Sequence, residues 1–229
     1  MQADALPLSI DLPSGPAVSG LLLAPKAPAA CYVFAHGAGA GMQHRFMADL
    51  AGALCGRGIA TLRFQFPYME NASKRPDRPE VAHEAVRAAA AEAARRLPDV
   101  PLFAGGKSFG GRMTSQAQAA RPLAGVAGLV FVGFPLHPAG KPGTDRAAHL
   151  SQVQVPMLFL QGDRDELAGM DLMRPEVERL GAKASLHVVA GADHAFHVLA
   201  RSGRKDPEVV EELADVMARW MGALRAEKK

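Results

Sequence analysis

From Pro101 to Arg112 the chain runs through an apolar stretch into Gly106-Lys107-Ser108-Phe109-Gly110 and leaves in a helical pattern. A Gly-x-Ser-x-Gly unit between a strand and a helix forces a sharp turn, and Gly106 and Gly110 are the positions where side chains would collide. Ser108 is thereby lifted above the sheet at a helix N-terminus, where free N–H groups favour the negative charge that develops in acyl transfer. The same five residues also fit an ordinary glycine-rich turn. A phosphate-binding loop is excluded, because its first glycine would fall at position 101, which is Pro101.

A serine hydroxyl is a poor nucleophile at neutral pH, so the turn can do chemistry only if a histidine reaches it and an acid orients that histidine. The run Met157 to Gln161 ends in Gly162-Asp163-Arg164-Asp165, and Asp165 is the candidate acid; Asp163 is the alternative, suited equally to structuring the turn. Gly191-Ala192-Asp193-His194 follows the next strand and offers His194 as the base. His197 is its nearest competitor, while His187 lies inside the strand and reads as structural. Ser108, Asp165 and His194 thus occur in the chain order nucleophile, acid, base, with two strands and their crossovers in the first interval and a helix and a strand in the second.

An oxyanion needs two amide donors, one after the nucleophile and one from a loop after an earlier strand. Phe109 supplies the first, and the loop His36-Gly37-Ala38-Gly39-Ala40-Gly41 supplies Ala38 as the second. His36 reads as a brace for that loop rather than a second base. A dinucleotide fingerprint fails there, since the third glycine would be Met42 or His44.

These residues need a frame, and β-rich runs alternating with helical spacing predict one: a mostly parallel twisted sheet of about seven to eight strands with helices on both faces. The expected strands are Leu6–Asp11, Val18–Ala24, Ala30–Ala35, Ile59–Phe64, Pro101–Ala104, Val126–Val132, Met157–Leu160 and Ser185–Val189. The expected helices are Met42–Gly56, Pro79–Arg96, Phe109–Ala120, Asp171–Leu180 and Pro207–Ala226, the last capped by Asp206 with Val209, Leu213, Val216, Trp220 and Leu224 on one face. Residues 71–80 and 135–145 read as surface loops.

The 229 residues fit one domain, 1–229, and the 48% apolar and 21% charged composition is that of a globular chain. A net charge of only +3, with no basic stripe, argues against nucleic acid. The segment Met1–Asp11 lacks the basic-then-apolar order of a secretory signal, and no run reaches a membrane span, so the expected compartment is the cytoplasm, with Cys31 and Cys55 as reduced core thiols. No metal or cofactor is expected, because the histidines and acids never take a helical i, i+4 ligand spacing of the His-Glu-x-x-His kind and the two cysteines are far apart. The expected partner is a small-molecule ester, with no nucleic acid and no membrane; a homodimer is left open.

With these residues in place, the chain resembles the α/β-hydrolase superfamily, most closely its small dienelactone-hydrolase-like family, which includes hydrolase-like subunits of animal chromatin complexes. The matching stretches are Ala35 to Gly41, Arg63 to Met69, Gly105 to Arg112, Phe134 to Pro138 and Gln161 to Asp165. The resemblance implies an α/β-hydrolase fold without a large lid domain and a serine hydrolase with the Ser108, Asp165, His194 triad. Dienelactone hydrolases proper carry a cysteine where this chain has Ser108, so ester or thioester cleavage is expected rather than their lactone chemistry. Phe66, Tyr68, Met69, Leu136 and His137 are candidate walls for an apolar acyl group. An acyltransferase or peptidase on the same triad, and a scaffold that no longer turns over, are the alternatives; an intact triad speaks against the scaffold.

Overall fold

In the computed structural model, which describes residues 4–226, eight strands form one sheet in the order β1-β2-β4-β3-β5-β6-β7-β8. Residues 1–3 and 227–229, which the expectations for Met1–Asp11 and for a 1–229 domain include, lie outside the described residues. The strands are β1 Leu6–Leu12, β2 Gly15–Leu23, β3 Ala30–Ala35, β4 Ile59–Phe64, β5 Leu102–Lys107, β6 Val126–Val132, β7 Met157–Gly162 and β8 Ala184–Val189. β1 pairs antiparallel with β2, and β2 with β4; from β4 to β8 every pairing is parallel. This is the mostly parallel, helix-covered sheet expected from the alternation of elements.

Period-two alternation divides the core between the two faces of the sheet. On β3, Cys31, Val33 and Ala35 join one buried cluster, and Ala30, Tyr32 and Phe34 join the other. The first face is covered by α3 Pro79–Arg96, α4 Phe109–Ala120 and α5 Met170–Leu180. The second is covered by α1 Arg45–Gly56 and α6 Asp206–Ala226. With both faces covered, β3 and β4 are buried along their whole length, which is why their sequences are nearly continuous in apolar residues.

Several boundaries differ from the sequence expectation. β5 runs through Gly105, Gly106 and Lys107, because parallel pairing with Ala35 of β3 and Val132 of β6 holds glycines that have no strand preference of their own. α6 starts at Asp206, whose carboxylate accepts from His197 Nδ1 at 2.8 Å and from the Val198 amide at 3.0 Å. Its fully buried row runs through Val209, Leu213, Met217 and Met221, and Val216, Trp220 and Leu224 flank it. A short helix, α2 Pro67–Glu70, and a 3-10 helix at Asp145–Gln152 adjoin the loops expected at 71–80 and 135–145, in segments for which the sequence pattern predicts no element. Between β6 and β7 this 3-10 helix and its flanking loops are all that is inserted, so no lid domain covers the C-terminal edge of the sheet. Among the described residues no helix is long and apolar enough to cross a membrane.

Candidate active site

The C-terminal ends of β5, β7 and β8 lie along one edge of the parallel sheet, with β6 between the first two, and the candidate residues follow directly after them. Ser108 joins β5 to α4 with φ +50° and ψ −112°, a strained backbone for a residue with a Cβ. The turn closes this tightly only because its flanks are bare. A Cβ on Gly106 would sit 2.5 Å from the Ala35 carbonyl oxygen and 2.7 Å from the Gly110 carbonyl carbon, and a Cβ on Gly110 would sit 2.5 Å from the same Ala35 oxygen.

The structure brings Ser108, His194 and Asp165 into one hydrogen-bonded line. Ser108 Oγ is 2.8 Å from His194 Nε2, and His194 Nδ1 is 2.7 Å from Asp165 Oδ2. The Asp165 carboxylate is fully enclosed: Oδ2 also accepts from Gln161 Nε2 at 2.5 Å, and Oδ1 accepts from the Leu167 amide at 2.8 Å. An acceptor so held fixes a proton on Nδ1 and leaves Nε2 to accept from the serine. Asp163 takes the turn-structuring role, accepting from the Gly191 amide at 2.8 Å. His187 pairs with Glu212 and His197 with Asp206, so neither competes for Ser108.

His194 is carried by a loop closed on itself: Asp193 Oδ1 accepts from the Ala195 and His197 amides, and Ala192 bridges to Val198. Lys107, the residue before Ser108, ties this loop to the β5–α4 turn by donating from Nζ to the His194 carbonyl at 2.5 Å, with the Phe196 ring 5.4 Å away. Burial pulls the Lys107 ammonium down to about 8, opposed by the charges of Asp165 and Asp193. Sequence reasoning passed over both Gln161 and Lys107. The available signal was a polar side chain inside an apolar strand, which needs a buried partner.

The loop after β3 lies against the elbow, since a Cβ on Gly37 would be 3.9 Å from Ser108 Cβ. His36 is fully buried; its Nε2 accepts from the Phe66 amide at 3.0 Å and its Nδ1 donates to the Gly37 carbonyl at 2.8 Å. Burial lowers its pKa, outweighing the carbonyl hydrogen bonds, so the ring is neutral with the proton on Nδ1. Tyr68 Oη donates to the Ala38 carbonyl at 2.8 Å. In a trans peptide the N–H points opposite to the C=O, so pinning the Gly37 carbonyl turns the Ala38 N–H the other way. Among the described residues neither the Ala38 nor the Phe109 amide donates a hydrogen bond.

The five candidate wall residues divide. Phe66 and Leu136 have no exposed surface, and Phe66 sits edge-on to Phe109 at 5.3 Å as a support rather than a lining. Tyr68 and His137 are nearly buried, Tyr68 bracing the Ala38 loop and His137 Nδ1 donating to the Pro138 carbonyl at 2.9 Å; Met69 is half-buried. Two surface hollows of about 1020 and 1050 Å³ lie against α3 and between α1 and α6, and neither contains the three aligned residues. Among the described residues no three His, Cys, Asp or Glu side chains cluster as metal ligands would.

Residues 28–222 match the model of an alpha/beta hydrolase domain. The fold is shared with an alpha-beta serine hydrolase homologue from Coxiella burnetii, at 23% identity over 93% of this chain and 96% of that one, with a TM-score of 0.74. An α/β serine hydrolase without lid from Xanthomonas campestris is similar at 24% identity over 95% of each chain, TM-score 0.75. A dienelactone hydrolase from Anabaena variabilis is similar at 19% identity over 97% of this chain and 99% of that one, TM-score 0.77.

Proposed function

The chain belongs to the alpha/beta hydrolase domain family, and from that premise we propose that it is a serine hydrolase cleaving a carboxylic ester or thioester of a small molecule. The observation that carries this reading is the unbroken line from Ser108 Oγ through the His194 ring to the enclosed Asp165 carboxylate, 2.8 Å and 2.7 Å long. A scaffold with no turnover has no physical need to hold Ser108 at a strained positive φ in front of a histidine.

In the proposed reaction His194 Nε2 takes the Ser108 proton as Oγ attacks the carbonyl carbon. Asp165 keeps the imidazolium oriented, and the Ala38 and Phe109 amides receive the oxyanion. Collapse of the tetrahedral intermediate breaks the bond to the alcohol or thiol, which leaves with the proton from His194. Water, activated by the same histidine, then attacks the acyl-serine and releases the acid.

The test is labelling with a fluorophosphonate probe and turnover of p-nitrophenyl esters of graded chain length, by wild type and Ser108→Ala. Labelling and hydrolysis that disappear in the variant support the reading; a folded wild type that does neither removes it.

A further inference from the structure

We propose that Arg112 and Arg146 form an anion-binding subsite beside Ser108, so that the preferred substrate is an ester whose acyl part ends in an ionised carboxylate. The proposal rests on the hydrolase reading for the substrate, but the subsite itself does not.

Arg112 is one turn along α4 from Ser108, and its amide donates to the Ser108 carbonyl at 3.1 Å. Side chains on a helix lean toward its N-terminus, and the Arg112 guanidinium accordingly lies back over the Phe109 ring, 5.8 Å from its centroid. Phe109 is the residue after Ser108 and the first of α4, so the cation stands over the N-terminal end of that helix. Arg146 approaches from the 3-10 helix after β6, anchored by Nη1 donating to the His137 carbonyl at 3.0 Å.

Both arginines are half-buried, yet among the described residues neither has a carboxylate within ion-pair reach. Arg57, Arg179 and Arg204, by contrast, each meet an acid. Burial and, after it, the charge of Arg146 hold the Arg112 guanidinium below its usual pKa. Arg112 Nε is buried with no hydrogen-bond partner among the described residues, and so are His83 Nε2 on the facing helix α3 and Gln116 Oε1 one turn further along α4. His149, bonded to Ser115 Oγ at 2.8 Å, is kept neutral in the same region by burial and by Arg112 and His83. The acid in this neighbourhood is Glu80, which acts on His83 together with Arg87.

Two cations drawn part-way out of water without a counter-charge are unfavourable unless something offsets them. An oxyanion does so best, because the guanidinium fork matches carboxylate or phosphate geometry. A donor with its buried nitrogen still vacant is what such a ligand would satisfy. With Arg112 one helical turn from Ser108, the pair would read the far end of a short acyl chain and discriminate against a neutral ester that leaves both charges bare.

The experiment compares p-nitrophenyl hemisuccinate, hemiglutarate and hemiadipate with neutral esters of matched length, in wild type, Arg112→Gln and Arg146→Gln. The expected result is a kcat/KM for the best hemiester about tenfold or more above its neutral match, and a fall in that ratio of about tenfold in each variant, the size of a lost charge-assisted hydrogen bond. In parallel, glutarate and inorganic phosphate are titrated into Ser108→Ala and into Ser108→Ala with Arg112→Gln, following Tm. Glutarate should raise the Tm of the first and not of the second, and melting without ligand shows whether each variant is folded.

Neutral esters cleaved as well as hemiesters, with no glutarate effect, would overturn the proposal and leave the hydrolase standing. If no ester is cleaved but glutarate still stabilises through Arg112, the hydrolase reading falls and the anion subsite survives. A response to phosphate alone would overturn the carboxylate-bearing substrate.

Discussion

Lys107 Nζ donates to the main-chain carbonyl of His194 at 2.5 Å, so the residue immediately before Ser108 holds the loop that carries His194. The residue keeps some exposed surface, but its ammonium is ringed by the His194 carbonyl, the Phe196 face and Gly133.

Lys107→Met should separate activity from stability. Releasing the His194 loop lets the base drift from Ser108, and a misplacement of about 1 Å costs up to a hundredfold in rate. Removing a half-compensated buried charge is close to neutral for folding. The expected outcome is a kcat/KM at least about tenfold lower with KM little changed and a urea midpoint at pH 7 close to wild type. A variant with full activity would show that the tie is dispensable.

The same ammonium makes stability depend on alkaline pH. The folded Lys107 titrates at about 8, whereas the unfolded chain keeps its lysine protonated to about 10.4. Between those values the unfolded state holds more protons, so the Lys107 contribution to stability rises as pH rises. Urea unfolding at pH 7 and pH 9 should show wild type gaining about 1 kcal/mol relative to Lys107→Met. A constant gap between the two proteins would contradict the assignment.

Acid acts through His149. Burial, then Arg112 and His83, lower its pKa to about 4, below the unfolded value near 6.5. The stability this neutral ring contributes is complete above about 6.5 and is lost as pH falls through about 4, because the unfolded chain takes up the proton first. Replacing it, as in His149→Gln, should flatten the fall in unfolding free energy between pH 6.5 and 4.5, by an amount on the order of 1–2 kcal/mol after allowing for its partial exposure. Parallel pH curves for the two proteins would refute this.

His36 is predicted to act on the rate through the Ala38 peptide. His36→Ala removes both the acceptor of the Phe66 amide and the donor to the Gly37 carbonyl. The orphaned buried amide should cost about 1–3 kcal/mol of stability. A freely turning Ala38 peptide should lower kcat by about a hundredfold, as loss of one oxyanion donor does. Steady-state kinetics that show an effect confined to KM would count against the orienting role.

Strain at the nucleophile is measurable without chemistry. Ser108 sits at φ +50°, a region that glycine enters without penalty. Ser108→Gly should therefore be more stable than Ser108→Ala by about 1 kcal/mol, both being inactive. Equal urea midpoints would mean that the turn is not strained.

The sequence by itself determined the elements and the order of the chemistry. Apolar runs such as Ala30–Ala35 and Ile59–Phe64, and the glycines flanking Ser108, are local patterns whose meaning follows from backbone sterics and period-two burial. Asp165 and His194 could be named because turns after apolar strands present side chains at a sheet edge. What only the tertiary structure decided is which distant groups meet. The strand order that places β4 outside β3 and the Lys107 tie to His194 join residues far apart in sequence; the Gln161 amide on Asp165, and Arg112 and Arg146 with no acid in reach among the described residues, depend likewise on how the chain packs. Their burial and partners are properties of packing, and a one-dimensional pattern records a side chain's type but not the neighbour that compensates its charge or satisfies its hydrogen bonds.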